Sequence, residues 1–116
     1  MATLSLDKET IENRIQSLID ALVKSYENYC KRQEFEYDPG YISFDVVKGT
    51  KYYKLVLNQG TGKSVHCFVH RQTGAVFKPA SWNAPAKNVR YNLMDDVSFQ
   101  SCLARANWSG SYLYQR

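Results

Sequence analysis

A chain of 116 residues, 44% apolar and 14% aromatic, can bury one core without disulfides or a structural metal, so residues 1–116 are read as a single domain. No apolar run nears the ~18 residues of a membrane span, the start MATLSLDKET lacks the regions of a secretory signal, and Cys30, Cys67 and Cys102 are too far apart for a disulfide framework or a zinc spacing. No membrane partner and no secretion are therefore expected, and an intracellular setting with core thiols is read from the same features.

The net charge of +4 is unevenly spread. Residues 1–45 carry nine acids and five bases, whereas residues 46–94 carry eight bases (Lys48, Lys51, Lys54, Lys63, Arg71, Lys78, Lys87, Arg90) and no acid. Such a half offers a positive field to phosphate-rich or carboxylate-rich partners, unless it faces the acidic helix of its own or a neighbouring subunit.

From Asp7 to about Arg32 the apolar residues Ile11, Ile15, Leu18, Ile19, Leu22, Val23, Tyr26, Tyr29 and Cys30 recur in steps of three and four. This is one helical stripe. Asp7 suits the cap, Glu9 and Glu12 the first turns, and Lys31 and Arg32 the last, so both ends complement the helix dipole. At ~1.5 Å per residue the helix is ~37 Å long, enough for part of its stripe to reach a second subunit.

Asp38-Pro39-Gly40 carries turn residues, and strands follow. Ile42, Phe44 and Val46 alternate with polar residues over Tyr41 to Lys48, and Gly49-Thr50 reverses the chain. Lys51 to Asn58 then places Tyr53, Leu55 and Leu57 opposite Tyr52, Lys54 and Val56. Gly60-Thr61-Gly62-Lys63-Ser64 resembles the end of a phosphate-binding loop but fails the motif. Leu57 stands where the first glycine belongs, and the segment leads into the strand-like Val65 to Val69.

Ser64 to His70 and Ala75 to Lys78 read as a hairpin whose turn is closed by a left-handed Gly74. Pairing Arg71 with Ala75 and His70 with Val76 sets Val65, Cys67, Val69, Ala75 and Phe77 on the core face, and His66, Phe68, His70, Val76 and Lys78 on the other. Two histidines four residues apart on a strand lie ~13 Å from each other, too far to chelate one ion, so no metal site is assigned.

The segment from Lys78 to Tyr91 has neither helical nor strand period, and Pro79 and Pro85 oppose a continuous ladder. Its Trp82 and Tyr91 favour a packed surface loop with Lys78, Lys87 and Arg90 outward. Asn92-Leu93-Met94-Asp95 reads as the start of a shorter helix to about Ala106, with the stripe Phe99, Cys102, Leu103 and Ala106. Asn107 to Gly110 ends it, and Ser111 to Tyr114 reads as a short strand. The fold class is thus α+β: a long N-terminal helix packed on an antiparallel sheet of four to five strands, with a second helix near the C-terminus.

No nucleophile elbow, zinc signature or dinucleotide fingerprint is present, and the basic half offers no carboxylate as general base. The chain reads as non-enzymatic, with no catalytic residue and no cofactor. What remains is a mixture of rings and cations, with Tyr52 and Lys54 beside the candidate ligand-binding residues His66, Phe68, His70, Lys78, Trp82, Lys87, Arg90 and Tyr91. Rings stack on bases while Lys and Arg hold phosphates, which suits single-stranded nucleic acid or a nucleotide. The same residues also suit a contact in a homo-oligomer, where Trp, Tyr and Arg dominate.

The run Thr73-Gly74-Ala75-Val76-Phe77-Lys78-Pro79-Ala80-Ser81-Trp82-Asn83-Ala84-Pro85-Ala86-Lys87, with Arg90-Tyr91-Asn92-Leu93 after it, resembles small uncharacterised proteins of tailed bacteriophages, especially those of marine bacteria. The resemblance covers roughly residues 63–114. It implies a virus-encoded protein of the host cytoplasm or of the virion, and no mechanism.

Overall fold

The computed structural model describes residues 6–36, 38 and 40–114, with side chains from Ile11 onward. Helix α1 (Leu6–Gln33) leads into five strands, β1 (Ile42–Lys48), β2 (Tyr52–Gln59), β3 (Gly62–His70), β4 (Ala75–Phe77) and β5 (Tyr91–Asn92). Helix α2 (Asp96–Arg105) and a 3-10 turn (Ser111–Tyr114) complete the chain. The strands form an antiparallel meander in the order β1-β2-β3-β4-β5. The α+β class with two helices follows the hydrophobic periods of the sequence. Among the described residues, no helix is long and apolar enough to cross a membrane.

The α1 stripe is buried from Ile11 to Cys30 within the one chain, so the stripe is not left open for a second subunit. It packs with Tyr53, Leu55, Cys67, Val69 and Val76 on the sheet, and with Leu93, Phe99, Cys102, Tyr112 and Leu113 beyond it. A smaller cluster of Tyr26, Cys30, Ile42 and Leu57 closes the other end, with Trp108 edge-on to Tyr26 at 5.1 Å. Each fully buried Leu or Val contributes roughly 1.5–3 kcal/mol, which makes this face the main source of stability. Arg14 fastens α1 to the start of α2: it donates to the Leu93 carbonyl at 2.7 Å, pairs with Asp96 at 2.9 Å and lies 4.6 Å over the Phe99 ring. Lys31 and Arg32 occupy the last turn of α1 as the dipole favours, while the expected cap Asp7 and Glu9 lie outside the described side chains. The Asp38 turn forms, with its carbonyl accepting from Tyr41 N and its carboxylate from Gly40 N; Pro39 lies outside the described residues.

Four local expectations are corrected. The β3–β4 loop is one residue longer than the turn read from sequence: Gly74 N donates to His70 O, and Val69 pairs with Val76 and Phe68 with Phe77. The His70 imidazole explains the early reversal, because its Nδ1 accepts from Gln72 N and Thr73 N. Gly74 is left-handed as expected, at φ +79°. The shift sends Val76 into the core and Ala75 and Phe77 to the opposite face.

The second correction is a bulge. Leu55 pairs with Cys67 and Val56 with Val65, leaving His66 as the extra residue. The bulge re-aims His66 toward the core, where its Nε2 lies 2.9 Å from the Tyr112 hydroxyl. Thirdly, α2 is capped by Asp95, whose carboxylate accepts from Val97 N, while Asn92 belongs to β5 and uses its side chain to accept from Met94 N. Lastly, Ser111–Tyr114 is a 3-10 turn because its Tyr112 and Leu113 both point into the core, a pattern that strand alternation cannot supply.

Candidate functional site

The face of the sheet away from α1 carries Tyr52 and Lys54 from β2, Phe68 and His70 from β3 and Phe77 from β4. Tyr52 is the hub. Its ring meets Phe68 at 6.0 Å, His70 at 5.4 Å and Phe77 at 5.9 Å, each close to perpendicular. Edge-to-face geometry of this kind satisfies the ring quadrupoles and holds the cluster without deep burial. Phe68 alone is sealed, at 3% exposed.

The segment between β4 and β5 is not an irregular loop but the continuation of their hairpin. Pro79 and Pro85 face each other as an antiparallel bridge. Ala86 N donates to Lys78 O and Ala80 N to Ala84 O, both at 2.9 Å, on either side of that bridge. The two prolines therefore occupy a non-hydrogen-bonded pair, the one ladder position at which no N–H is required. Ser81 N also donates to Ala84 O, and Arg90 N to Val76 O, so the excursion is pinned at its tip and at its base.

This pinned tip presents Trp82, 48% exposed. The Lys54 ammonium lies 4.7 Å from the indole centroid and 3.4 Å from Asn83 Oδ1, so the tip reaches back to β2. Lys54 pairs with Phe68 across β2 and β3, which places the tip above the sealed ring. Among the described residues, Lys48, Lys51, Lys54, Lys63, Arg71, Lys78 and Lys87 form no ion pair. Lys51 rests 5.7 Å over Tyr52, and Arg71 donates to the carbonyls of Gly49 and Thr50. Among the described residues, these seven cations thus form no ion pair with the acidic helix.

The structure brings together only part of the residue set read from sequence. Phe68, His70 and Trp82 share the far side with Tyr52 and Lys54, and Lys87 is exposed on the returning limb. Lys78 turns instead to the Tyr114 ring at 4.6 Å. Tyr91 is a β5 core residue, 5.9 Å from Tyr112, because its partner across the ladder is the buried Val76. Arg90 is half-buried beside it. His66 is enclosed, and burial pushes its pKa down to about 4, so it stays neutral and serves the core. Burial likewise raises the Cys102 thiol to about 12 and pushes Cys67 well up, which leaves both unreactive. Phe77 and Asn83 belong to this surface and are not among the residues the sequence singles out. The first follows once the longer turn is recognised, whereas no sequence signal marks Asn83 as the partner of Lys54.

Among the described residues there is no group of three His, Cys, Asp or Glu able to hold a metal. A shallow cleft of about 390 Å³ runs between the C-terminal halves of α1 and α2. Within it Ser25 Oγ accepts from Trp108 N, and Lys24 pairs with Glu27.

Residues 3–115 match a family described as a family of unknown function, DUF7717. No curated protein and no solved structure matches the chain.

Proposed function

Because the chain belongs to DUF7717, a family whose function is unknown, we propose from its own geometry that it is a non-catalytic binder of single-stranded nucleic acid. The binding surface is the tip and the far side of the sheet. One observation carries this reading: a half-exposed indole, fixed by the Pro79–Pro85 bridge, is held against the Lys54 ammonium in a region whose lysines form no ion pair among the described residues. Trp82 offers a flat surface on which a base can stack, and Lys54, Lys51 and Lys87 supply charge for the flanking phosphates. Phe68 supports the surface from beneath rather than touching the ligand. The phage-type origin implied by the resemblance of residues 63–114 belongs to the same proposal and places the protein in the host cytoplasm or the virion.

Fluorescence anisotropy with labelled oligo-dT, oligo-U and a mononucleotide, at low and moderate salt, tests the reading. Oligonucleotide binding that weakens as log K against log salt is expected, since phosphate contacts release counterions. Trp82→Ala should weaken it by roughly 5- to 150-fold, the loss of about 1–3 kcal/mol of stacking. Binding indifferent to Trp82, or none at low salt, overturns it. The second reading, in which the same surface is a subunit contact, is favoured by Val89, 53% exposed on the same excursion. It requires an assembly, seen by light scattering, that Trp82→Ala dissociates.

A further inference from the structure

We propose that β1 is the contact through which two copies of this chain join, antiparallel and edge to edge, with Val46 of one copy opposite Val46 of the other. β1 ends the sheet, and no strand covers its outer side among the described residues. Its hydrogen-bond parity is fixed at both ends. Gly60 N donates to Tyr41 O at 3.0 Å and Gly49 N to Tyr52 O at 2.9 Å, so the odd-numbered residues bond inward to β2. Phe44, Val46 and Lys48 therefore turn their N–H and C=O groups outward.

Protected edges usually carry a proline, a bulge or a very short strand. β1 has none of these: it runs seven residues in unbroken register with β2. Near its centre Val46 and Val47 are 43% and 49% exposed, one on each face of the sheet. Asp45, the one acid in the strand, is occupied by Asn58 Nδ2 at 2.9 Å.

Charge selects a second copy of the chain, and selects the antiparallel direction. The exposed acids Glu34, Glu36 and Asp38 precede the strand, and the exposed bases Lys48 and Lys51 follow its centre. None of the five forms an ion pair within the subunit among the described residues. Pairing about Val46 sets Lys48 opposite Phe44 and brings Lys51 level with Tyr41, beside the acidic connector of the other copy. The two-fold axis makes this match twice. Parallel pairing would set acid against acid and base against base. In the antiparallel arrangement Phe44, Val46 and Lys48 meet Lys48, Val46 and Phe44 as bonded pairs, giving about six new backbone hydrogen bonds and one ten-stranded sheet.

Sedimentation velocity of the full chain without nucleic acid, from micromolar to near-millimolar, is expected to show a monomer–dimer equilibrium. Val46→Pro removes an N–H that points away from β2, so the monomer should keep its circular dichroism while the dimer is lost. Val46→Cys should crosslink to itself under mild oxidation, because directly opposed residues of a bonded pair lie ~5.5 Å apart at Cα, within disulfide reach. Lys51→Glu should weaken the dimer about tenfold, and adding Asp38→Lys should restore it. A chain that stays monomeric throughout, a dimer that survives Val46→Pro, or a Val46→Cys protein that does not crosslink overturns the proposal. None of these readouts depends on Trp82, so failure here is distinct from failure of the nucleic-acid reading.

Discussion

The two faces of one sheet are held by different physics. Toward α1 the side chains are mainly aliphatic and sealed: Leu18, Leu22, Leu55, Val69, Val76 and Leu93 are fully buried under two helices and a 3-10 turn. The far face instead carries a cluster of rings and cations, meeting edge to face and covered in part by the chain's own hairpin tip. A face closed by aliphatic packing stabilises the fold and offers nothing to a partner. A face built of half-exposed rings contributes less and stays available, which is the usual division between scaffold and binding surface.

Deletion experiments break this contrast most directly. Leu55→Ala leaves a cavity at the centre of the sealed face and is expected to cost about 2–5 kcal/mol. Trp82→Ala trims the exposed tip and should cost under about 1 kcal/mol. Urea denaturation midpoints compare them. Equal losses would mean that the tip is part of the core and that the two faces are not distinct.

The sealed face also contains the buried polar pair His66 with Tyr112, and it imposes a pH dependence. Burial lowers the folded-state pKa of His66 from the ordinary 6.5 to about 4. Between those values the unfolded chain binds a proton that the folded chain refuses, so stability is full above about 6.5 and falls as the pH drops toward 4. The loss is roughly 3 kcal/mol, at about 1.4 per pH unit. Stability curves at intervals from pH 7.5 to 4 should show that slope in the wild type and a flatter one in His66→Gln. Parallel slopes would show that His66 titrates normally and is not enclosed.

A smaller effect sits where the two faces exchange residues. Gly74 has φ +79°, and an added Cβ would meet Met94 Cγ at 2.7 Å and the Met94 backbone nitrogen at 3.2 Å. The thioether can move and the backbone cannot, so Gly74→Ala is expected to cost roughly 1–2 kcal/mol through the left-handed backbone, with crowding added. Thermal melts would show it. A neutral result would mean that the turn can re-form with a shorter loop and a shifted β4.

That turn marks the limit of what the sequence discloses. The α1 stripe and the alternation in β1 and β2 are readable because each repeats many times along the chain and a single exception cannot hide it. The β3–β4 register rests on one residue, and His70 decides it by accepting two turn amides, a tertiary detail without a composition signal. His66 reads as a surface strand residue because the bulge that redirects it exists to meet Tyr112, 46 positions later. Tyr91 and Lys78 read as ligand-side residues for the same reason, since the face each one takes depends on the shifted ladder. Rings and cations were visible in the segment from Lys78 to Tyr91. That its two prolines face each other, and so permit a ladder they were expected to forbid, depends on their joint position and not on either one.

The least costly contact to remove is the one that joins the two parts of the far face. Lys54→Met and Trp82→Ala, alone and together, form a double-mutant cycle for an ammonium lying 4.7 Å from an indole centroid. At a partly exposed site a cation–ring contact is worth about 0.5–1 kcal/mol, so a coupling energy of that size is expected from urea denaturation. The Pro79–Pro85 bridge holds the tip in both single variants, which keeps the cycle from reporting a general loosening. A coupling near zero would leave the indole fixed by backbone alone and the ammonium free to swing away. Trp82 and Lys54 would then act as separate groups, and a ligand would meet a ring on one element and a charge on another instead of one preformed platform.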